Sequence, residues 1–285
     1  QKDTTSELRI RWGSSCKKRK NAFMKEVLIM KASYHNGRVG NTHHNDRTFN
    51  LDKAPHIDQS LTPKNRYFCT FPSETFTNAE KKFYKLNFQD WLKQRNEAAV
   101  KHRHPERKKT SENLRKEKRT RPEETILQIG DRYNFPDDDG ATLMACYKEF
   151  DEYRRKYIGR HCKTLNVALH LDEPEGTPHI HERHVWMFVD EKDKIVKIGQ
   201  EEALKHAGIE LPFPDRPQSR TNNRKMTFDA VMREKWYDIV EAHGIEVDRK
   251  PNKKKRKHLP KEQFIAYQKE QEHEQVKEQR KAPLK

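Results

Sequence analysis

The sequence predicts an α+β fold, an antiparallel sheet flanked by helices, and three observations carry that expectation. Residues Thr164 to Leu171 alternate, with Leu165, Val167, Leu169 and Leu171 on one face and Asn166, Ala168 and His170 on the other. That period of two is the pattern of a half-buried strand. A turn, Pro174-Glu-Gly-Thr177, leads into a second strand-like run, His179 to Val189, so the pair reads as a hairpin. Apolar stripes at helical spacing lie before and after it, and we find no internal repeat.

The elements follow in order. Glu26 to Ser33 reads as a first strand, and a loop rich in His, Asn and Asp runs from Asn36 to Asn65. Thr77-Asn-Ala-Glu80 has the form of a capping box. Tyr84, Phe88, Trp91 and Leu92 then recur as one helical stripe. Lys101 to Arg121 is so dense in Lys and Arg that it reads as a solvated helix or flexible loop. Thr125 to Ile129 is a short strand, and Leu143, Cys146, Tyr147, Phe150 and Tyr157 mark a helix ending near Gly159. A short helix at Glu201–His206 stops at Gly208, and a Pro-rich loop spans Pro212 to Pro217. A last helix runs from Phe228 to Ala242, with Gly244 as its C-terminal cap. The expected organisation is a basic, disordered extension at 1–24, one domain at 25–248, and at 249–285 a charged tail or the start of a helical region.

Composition narrows the function. The chain has 285 residues, 36% charged and 32% hydrophobic, with a net charge of +16. Such a charge favours a polyanionic partner, nucleic acid or an anionic membrane surface. The longest apolar cluster, Val27 to Met30, is strand-sized, so membrane insertion is not expected. Gln1 to Lys20 lacks the apolar middle of a signal peptide. Cys16, Cys69, Cys146 and Cys162 are scattered without CxxC spacing and read as reduced thiols of a cytoplasmic protein.

The residues that carry chemistry are histidines. His179 and His181 are two apart on one strand and share a face. His170 ends the preceding strand on the face away from its leucines, so a hairpin brings three imidazoles to one point. Three neutral imidazoles hold a divalent ion and leave positions open for substrate oxygens. Asp172 and Glu173 stand ready to orient those rings, or one of them to be a further ligand. His184 is expected to face the other way; His206, His243, His258 and His273 read as solvated. These features alone fit a general three-histidine metal hydrolase equally well.

The string His170-Leu-Asp-Glu173, then Thr177-Pro-His-Ile-His181, resembles the HUH motif of plasmid mobilisation relaxases of the MobV/Pre family. The turn here is two residues longer, as Pro174-Glu-Gly. Upstream, His44-Asn-Asp-Arg47, Ile57-Asp58 and Asn65 are similar in order and spacing to that family's early motif. The resemblance covers roughly Lys31 to Glu246. It implies an HUH relaxase-like fold and metal-assisted nicking of one DNA strand at an origin of transfer. It also implies a covalent histidine–5′-phosphate intermediate, for plasmid or mobile-element mobilisation, with relaxosome or coupling proteins as partners. The nucleophile carried over by position is His44.

In physical terms, a neutral imidazole at His44 is a competent nucleophile near pH 7. Arg47 is expected to clamp a phosphate bidentately. Asp46, Asp58, Glu124 or Glu173 would orient His44. Rival nucleophiles are His43, Tyr34 and Tyr237. The expected ion is Mn2+ or Mg2+. Basic runs at Lys101–Lys109, Arg115–Arg121 and Arg249–Lys257 suggest DNA contacts, among them Lys108, Lys109, Arg119 and Arg121. Arg224 and Lys225, before the last helix, and Asn65 join that set. The tail suggests a longer protein with a C-terminal dimerisation or partner-binding region. A DNA-binding protein that has lost catalysis is the other alternative.

Overall fold

The main sheet is antiparallel, and its strand order explains where the histidines meet. In a computed structural model of residues 28–250, the strands are β1 (Leu28–Met30), β2 (Ala32–Arg38), β3 (Arg66–Cys69), β4 (Glu123–Ile129), β5 (Cys162–His170), β6 (His179–Val189), β7 (Val196–Ile198) and β8 (Ile245–Val247). The order across the sheet is β2-β4-β6-β5-β3, with β7 on the far end of β6, and β1 pairs in parallel with β8. The expectations for 1–24, for Glu26 and Val27, for Cys16, His258 and His273, and for the tail past residue 250 lie outside the described residues.

Seven α-helices, besides four 3-10 turns, are found among the described residues: α1 (Thr42–Asn45), α2 (Phe76–Asn87), α3 (Gln89–Lys101), α4 (Ser111–Lys116), α5 (Ala141–Ile158), α6 (Gln200–His206) and α7 (Arg224–Ala242). One sheet face packs on α5, α6 and α7, where Leu127, Leu169, Ile180 and Trp186 meet Phe150, Phe228 and Trp236. Burial of these aromatic and branched side chains is the main stabilising term. On the opposite face Leu165 and Val185 pack with Phe83, Tyr84, Phe88 and Leu114. Leu165 is expected on the face of Val167 and Leu169, but an irregularity in the β5–β6 register between Thr164 and Asn166 turns it over. That second cluster covers one end of the face; the other end carries His170, His179 and His181.

A buried ion network stitches α5 to β6. Arg154 pairs with Glu182 and Asp151 and donates to the Thr164 hydroxyl, and the Tyr147 hydroxyl donates to Glu182 at 2.9 Å. Burial opposes charge on Glu182, but Arg154, His184 and Tyr147 hold its carboxyl down at about 2.

The hairpin strand His179–Val189 stands where the sequence places it, and so do the helices of the second half, except that the last one opens four residues early, at Arg224, and takes in Arg224 and Lys225, because the Asn223 side chain caps it there. Several elements differ. The first strand is two strands, because the chain changes partner at Lys31 from β8 to β4, and it runs on to Arg38. The expected loop at 36–65 contains α1. The helix expected to open at Thr77 starts at Phe76, capped by the Thr75 hydroxyl, which accepts from the Asn78 amide at 3.3 Å. Glu80 does not reach back to close a capping box; it is fully buried and pairs with Arg183 and Arg115. The stripe Tyr84 to Leu92 is broken at Phe88, whose backbone (φ −122°, ψ 19°) leaves the helix and divides α2 from α3. Within Lys101–Arg121, α4 docks through fully buried Leu114. Strands β3, β7 and β8, three or four residues long, are too short to show a period.

Candidate metal centre and nucleophile

In the β5–β6 hairpin His170 stands directly opposite His179, and His181 opposite Ala168. The longer turn leaves this register intact, since Gly176 closes it by donating to the Glu173 carbonyl at 2.8 Å. Ring centroids lie 5.3 Å apart for His170 and His179, 4.9 Å for His170 and His181, and 4.8 Å for His179 and His181.

Each ring has one nitrogen engaged by a fixed acceptor. His170 Nε2 donates to the Asn45 carbonyl at 2.9 Å, His179 Nδ1 to the Thr177 carbonyl at 2.8 Å, and His181 Nδ1 to Glu124 at 3.0 Å. These bonds set the tautomers and leave a lone pair on the other nitrogen of each ring. His170 Nδ1 and His181 Nε2 are buried without a hydrogen-bond partner. Buried lone pairs without donors are costly unless something fills them, and a divalent cation fits. Burial first, then the neighbouring His179 and His181 rings and Arg47, depress the basicity of His170 and keep it neutral, as a ligand must be. Burial opposes the charge of Glu124, yet hydrogen bonds from His181 and Asn45 hold its carboxyl below the usual range. Gly40 (φ +61°) makes room for it, since a Cβ there would lie 2.2 Å from the Glu124 carboxylate.

His44 sits on α1, above the cluster. Its centroid is 5.2 Å from that of His170 and 5.4 Å from that of His181. The Asn41 side chain caps this one-turn helix by accepting from the His43 amide at 3.1 Å. Glu173 is the hub of the surroundings, its Oε1 3.4 Å from His44 Nε2, 3.0 Å from Arg47 Nη2 and 3.9 Å from His170 Nδ1. Ligand atoms of His170, Glu173 and His179 lie within 4.8 Å of one another, as do those of His44, His170 and His181. Glu173 is thus in reach as a further ligand. A third group, His44, His56 and Glu173, is equally close. The sequence reading passed over His56, and its only signal was its place before Ile57-Asp58.

Other expected residues have different work. Arg47 is buried and its guanidinium fork grips Asp172, with Nη1 also donating to the His44 carbonyl at 2.7 Å. The expected phosphate clamp is corrected: this fork has no open donor pair for a ligand, and Arg47 instead positions α1. Asn65 is also buried; it accepts from the Leu171 amide at 2.7 Å and donates to the Tyr67 hydroxyl, so it straps a loop to the end of β5. Arg224 pairs with Glu201 and Lys225 with Asp229. Asp46 caps α2 by accepting from the Phe76 amide at 2.8 Å, and Asp58 accepts from Ser60. Glu124 serves His181. Of the four expected carboxylates, Glu173 lies against His44, at 3.4 Å.

Lys108 and Arg119 are exposed, Arg121 is half-buried, and Lys109 pairs with Glu117 at 2.6 Å. His43 turns to the Thr48 hydroxyl at 2.9 Å. Tyr34 is buried on the α5 side of the sheet, its ring against Phe150. Tyr237 lies on α7 beside Arg249. His184 faces Glu182 and Trp186, away from the cluster. Cys69, Cys146 and Cys162 are free thiols. Among the described residues no helix is long and apolar enough to cross a membrane.

No family model matches this chain. No curated protein matches it either. Among solved structures, it is similar to the MobM relaxase domain (MOBV; Mob_Pre), Mn-bound and in complex with plasmid pMV158 oriT DNA. For the 22-nucleotide complex with a 3′ thiophosphate at pH 6.8, identity is 16% and the TM-score 0.48, over 84% of this chain and 98% of that one. For the 22-nucleotide complex at pH 4.6 the values are 17% and 0.47, over 84% and 99%.

Proposed function

We propose that this chain is a metal-assisted DNA-nicking transesterase of the relaxase kind, acting at an origin of transfer, with His44 as nucleophile. The observation that carries the reading is the placement of His44 on a capped helical turn, within 5.2 and 5.4 Å ring-to-ring of His170 and His181.

A nitrogen of His44 bonds to the scissile phosphorus as the P–O3′ bond breaks. The leaving O3′ keeps the electron pair and takes up, through solvent, the proton that the imidazole releases from its other nitrogen, and the 5′ phosphate remains on His44 as a phosphoramidate. Attack by a 3′ hydroxyl reverses the step, so the strand is rejoined without ATP. Arg47 and Glu173 hold the His44 ring over the site. His170, His179 and His181, with Glu173 in reach, would hold a divalent ion, Mn2+ or Mg2+, which supplies Lewis-acid neutralisation of phosphate charge. Exposed Lys108 and Arg119 meet DNA phosphates and make binding salt-dependent.

The test is incubation with single-stranded oligonucleotides from the origin of the host element, with Mn2+ or Mg2+. The expected result is a denaturant-stable protein–DNA adduct, absent in His44→Ala, with cutting abolished in His179→Ala. An undiminished adduct in His44→Ala removes the nucleophile assignment. Steeply salt-dependent DNA binding without any cutting leaves a binding protein instead. Hydrolysis of small phosphodiesters with no preference for DNA leaves a general metal hydrolase.

A further inference from the structure

A large cavity lies away from the histidines. It is a groove of about 970 Å3 along the open β3 edge of the sheet, between α2 and α5. Phe83, Val167 and Met187 contribute apolar lining, and Phe68 stands in its wall with 60% of its surface exposed. Arg66, Lys148, Arg160 and Lys163 rim it, all exposed. Among the described residues none of these four has a carboxylate within salt-bridge distance, whereas Arg155 and the one acidic residue of the groove, Asp151, pair with each other. An exposed aromatic over an apolar floor, ringed by uncompensated cations, is the combination that holds single-stranded nucleic acid, with phosphates on the rim and bases on the rings.

Two further observations choose the occupant. The segments of this chain outside the described residues, 1–27 and 251–285, are both net basic, as is the whole chain at +16. A cationic rim repels those segments and a second copy alike. The groove also shares a wall with a hollow lined by the chain just after α1. The shared residues are Tyr67 and Phe68, and the hollow, of about 510 Å3, contains Asp46 and Thr48, close after His44 in the chain.

We infer that this groove is a binding site for a single strand of DNA, which passes over the Tyr67–Phe68 edge between the groove and the site of His44. Phosphates track Arg66, Lys148, Arg160 and Lys163, and a base stacks on Phe68. The inference extends the function proposed above by naming where the strand runs, and it stands on binding rather than cutting.

The probe is fluorescein-labelled oligothymidylate, read by anisotropy over a series of salt concentrations with the full chain, in both the native and His44→Ala backgrounds. Lys148→Glu with Lys163→Glu is expected to weaken binding at least about tenfold and to flatten the log–log salt slope by about one to two. Phe68→Ala is expected to weaken it about tenfold with the slope kept. Phe68→Trp keeps binding, and its added emission is quenched by the oligonucleotide. Thermal melting checks folding; if the double glutamate variant unfolds, Lys148→Ala with Lys163→Ala and the Phe68→Trp quench decide. Native affinity and slope in the charge variants, with no quench at Trp, overturn the inference. Polyglutamate competing as well as unlabelled oligothymidylate overturns it in favour of an acidic peptide. Groove-dependent binding in a protein that never cuts removes only the proposed catalysis. Cutting by a protein whose groove variants bind as before removes only the groove.

Discussion

The Arg47 guanidinium holds the Asp172 carboxylate by two parallel hydrogen bonds, Nε to Oδ2 at 3.0 Å and Nη2 to Oδ1 at 2.6 Å, with both side chains buried. Arg47 follows α1 with a left-handed backbone, φ +55°, which a side chain adopts only when its surroundings compel it. Burial opposes the charge of Asp172, but Arg47 outweighs it and holds the carboxyl below its usual range. The pair therefore pins the turn carrying His44 to the end of β5.

Arg47→Lys should thus be far from conservative, since an ammonium cannot reproduce the fork. Adduct formation is expected to fall at least about tenfold while the chain stays folded. Asp172→Ala leaves the buried Arg47 with Glu173 as its remaining carboxylate partner and should cost about 1.5–3 kcal/mol in denaturant unfolding. Native adduct yield in Arg47→Lys would contradict the positioning role.

Glu124 acts on the ion through His181. Glu124→Gln keeps an acceptor but loses the charge, so divalent-ion affinity is expected to drop about 10- to 100-fold. Titration calorimetry with Mn2+ measures it directly, and an unchanged dissociation constant would show that the His181 tautomer is set by something else.

Neither rival tyrosine reaches the cluster. Tyr34→Phe and Tyr237→Phe are expected to form the covalent adduct at native yield, read by denaturing gel. Loss of the adduct in either, with the fold intact, would return the nucleophile assignment to tyrosine.

The Arg154–Glu182 pair gives stability a pH dependence of known sign. Glu182 has its folded pKa lowered from 4.5 to about 2. The unfolded chain therefore takes up a proton near pH 4.5 that the native chain refuses until near pH 2. The stability contributed by this group is full above that window and is lost as pH falls through it. Glu182→Gln should flatten the acid limb of a stability–pH curve and lower stability at neutral pH. An acid limb of unchanged slope would refute the linkage.

Much of the site was legible because its geometry is local. His179 and His181 share a face by the period of two, and a hairpin needs only a turn between adjacent strands. The α5-side helices were legible for the same reason, since each shows its stripe within one window. The short strands β3 and β8 carry no such signal, and Phe88 sits in the stripe although it breaks the helix. Lys101–Arg121 reads as solvated because one apolar residue, Leu114, docks it.

By itself the sequence determined the residue types, the alternation that turns His170 away from Val167 and Leu169, and the juxtaposition of three imidazoles across one turn. Tertiary structure alone decided who serves whom. His181 takes Glu124 from 57 positions away, Asn45 reaches Glu124 across 79, and Arg47 reaches Asp172 across 125. A buried donor takes whichever acceptor packing brings within about 3 Å. That choice depends on how β4, β5 and α1 meet in space. It is why Arg47 and Asn65, read as open to DNA, turn inward, and why Glu173 rather than Asp46, Asp58 or Glu124 stands beside His44.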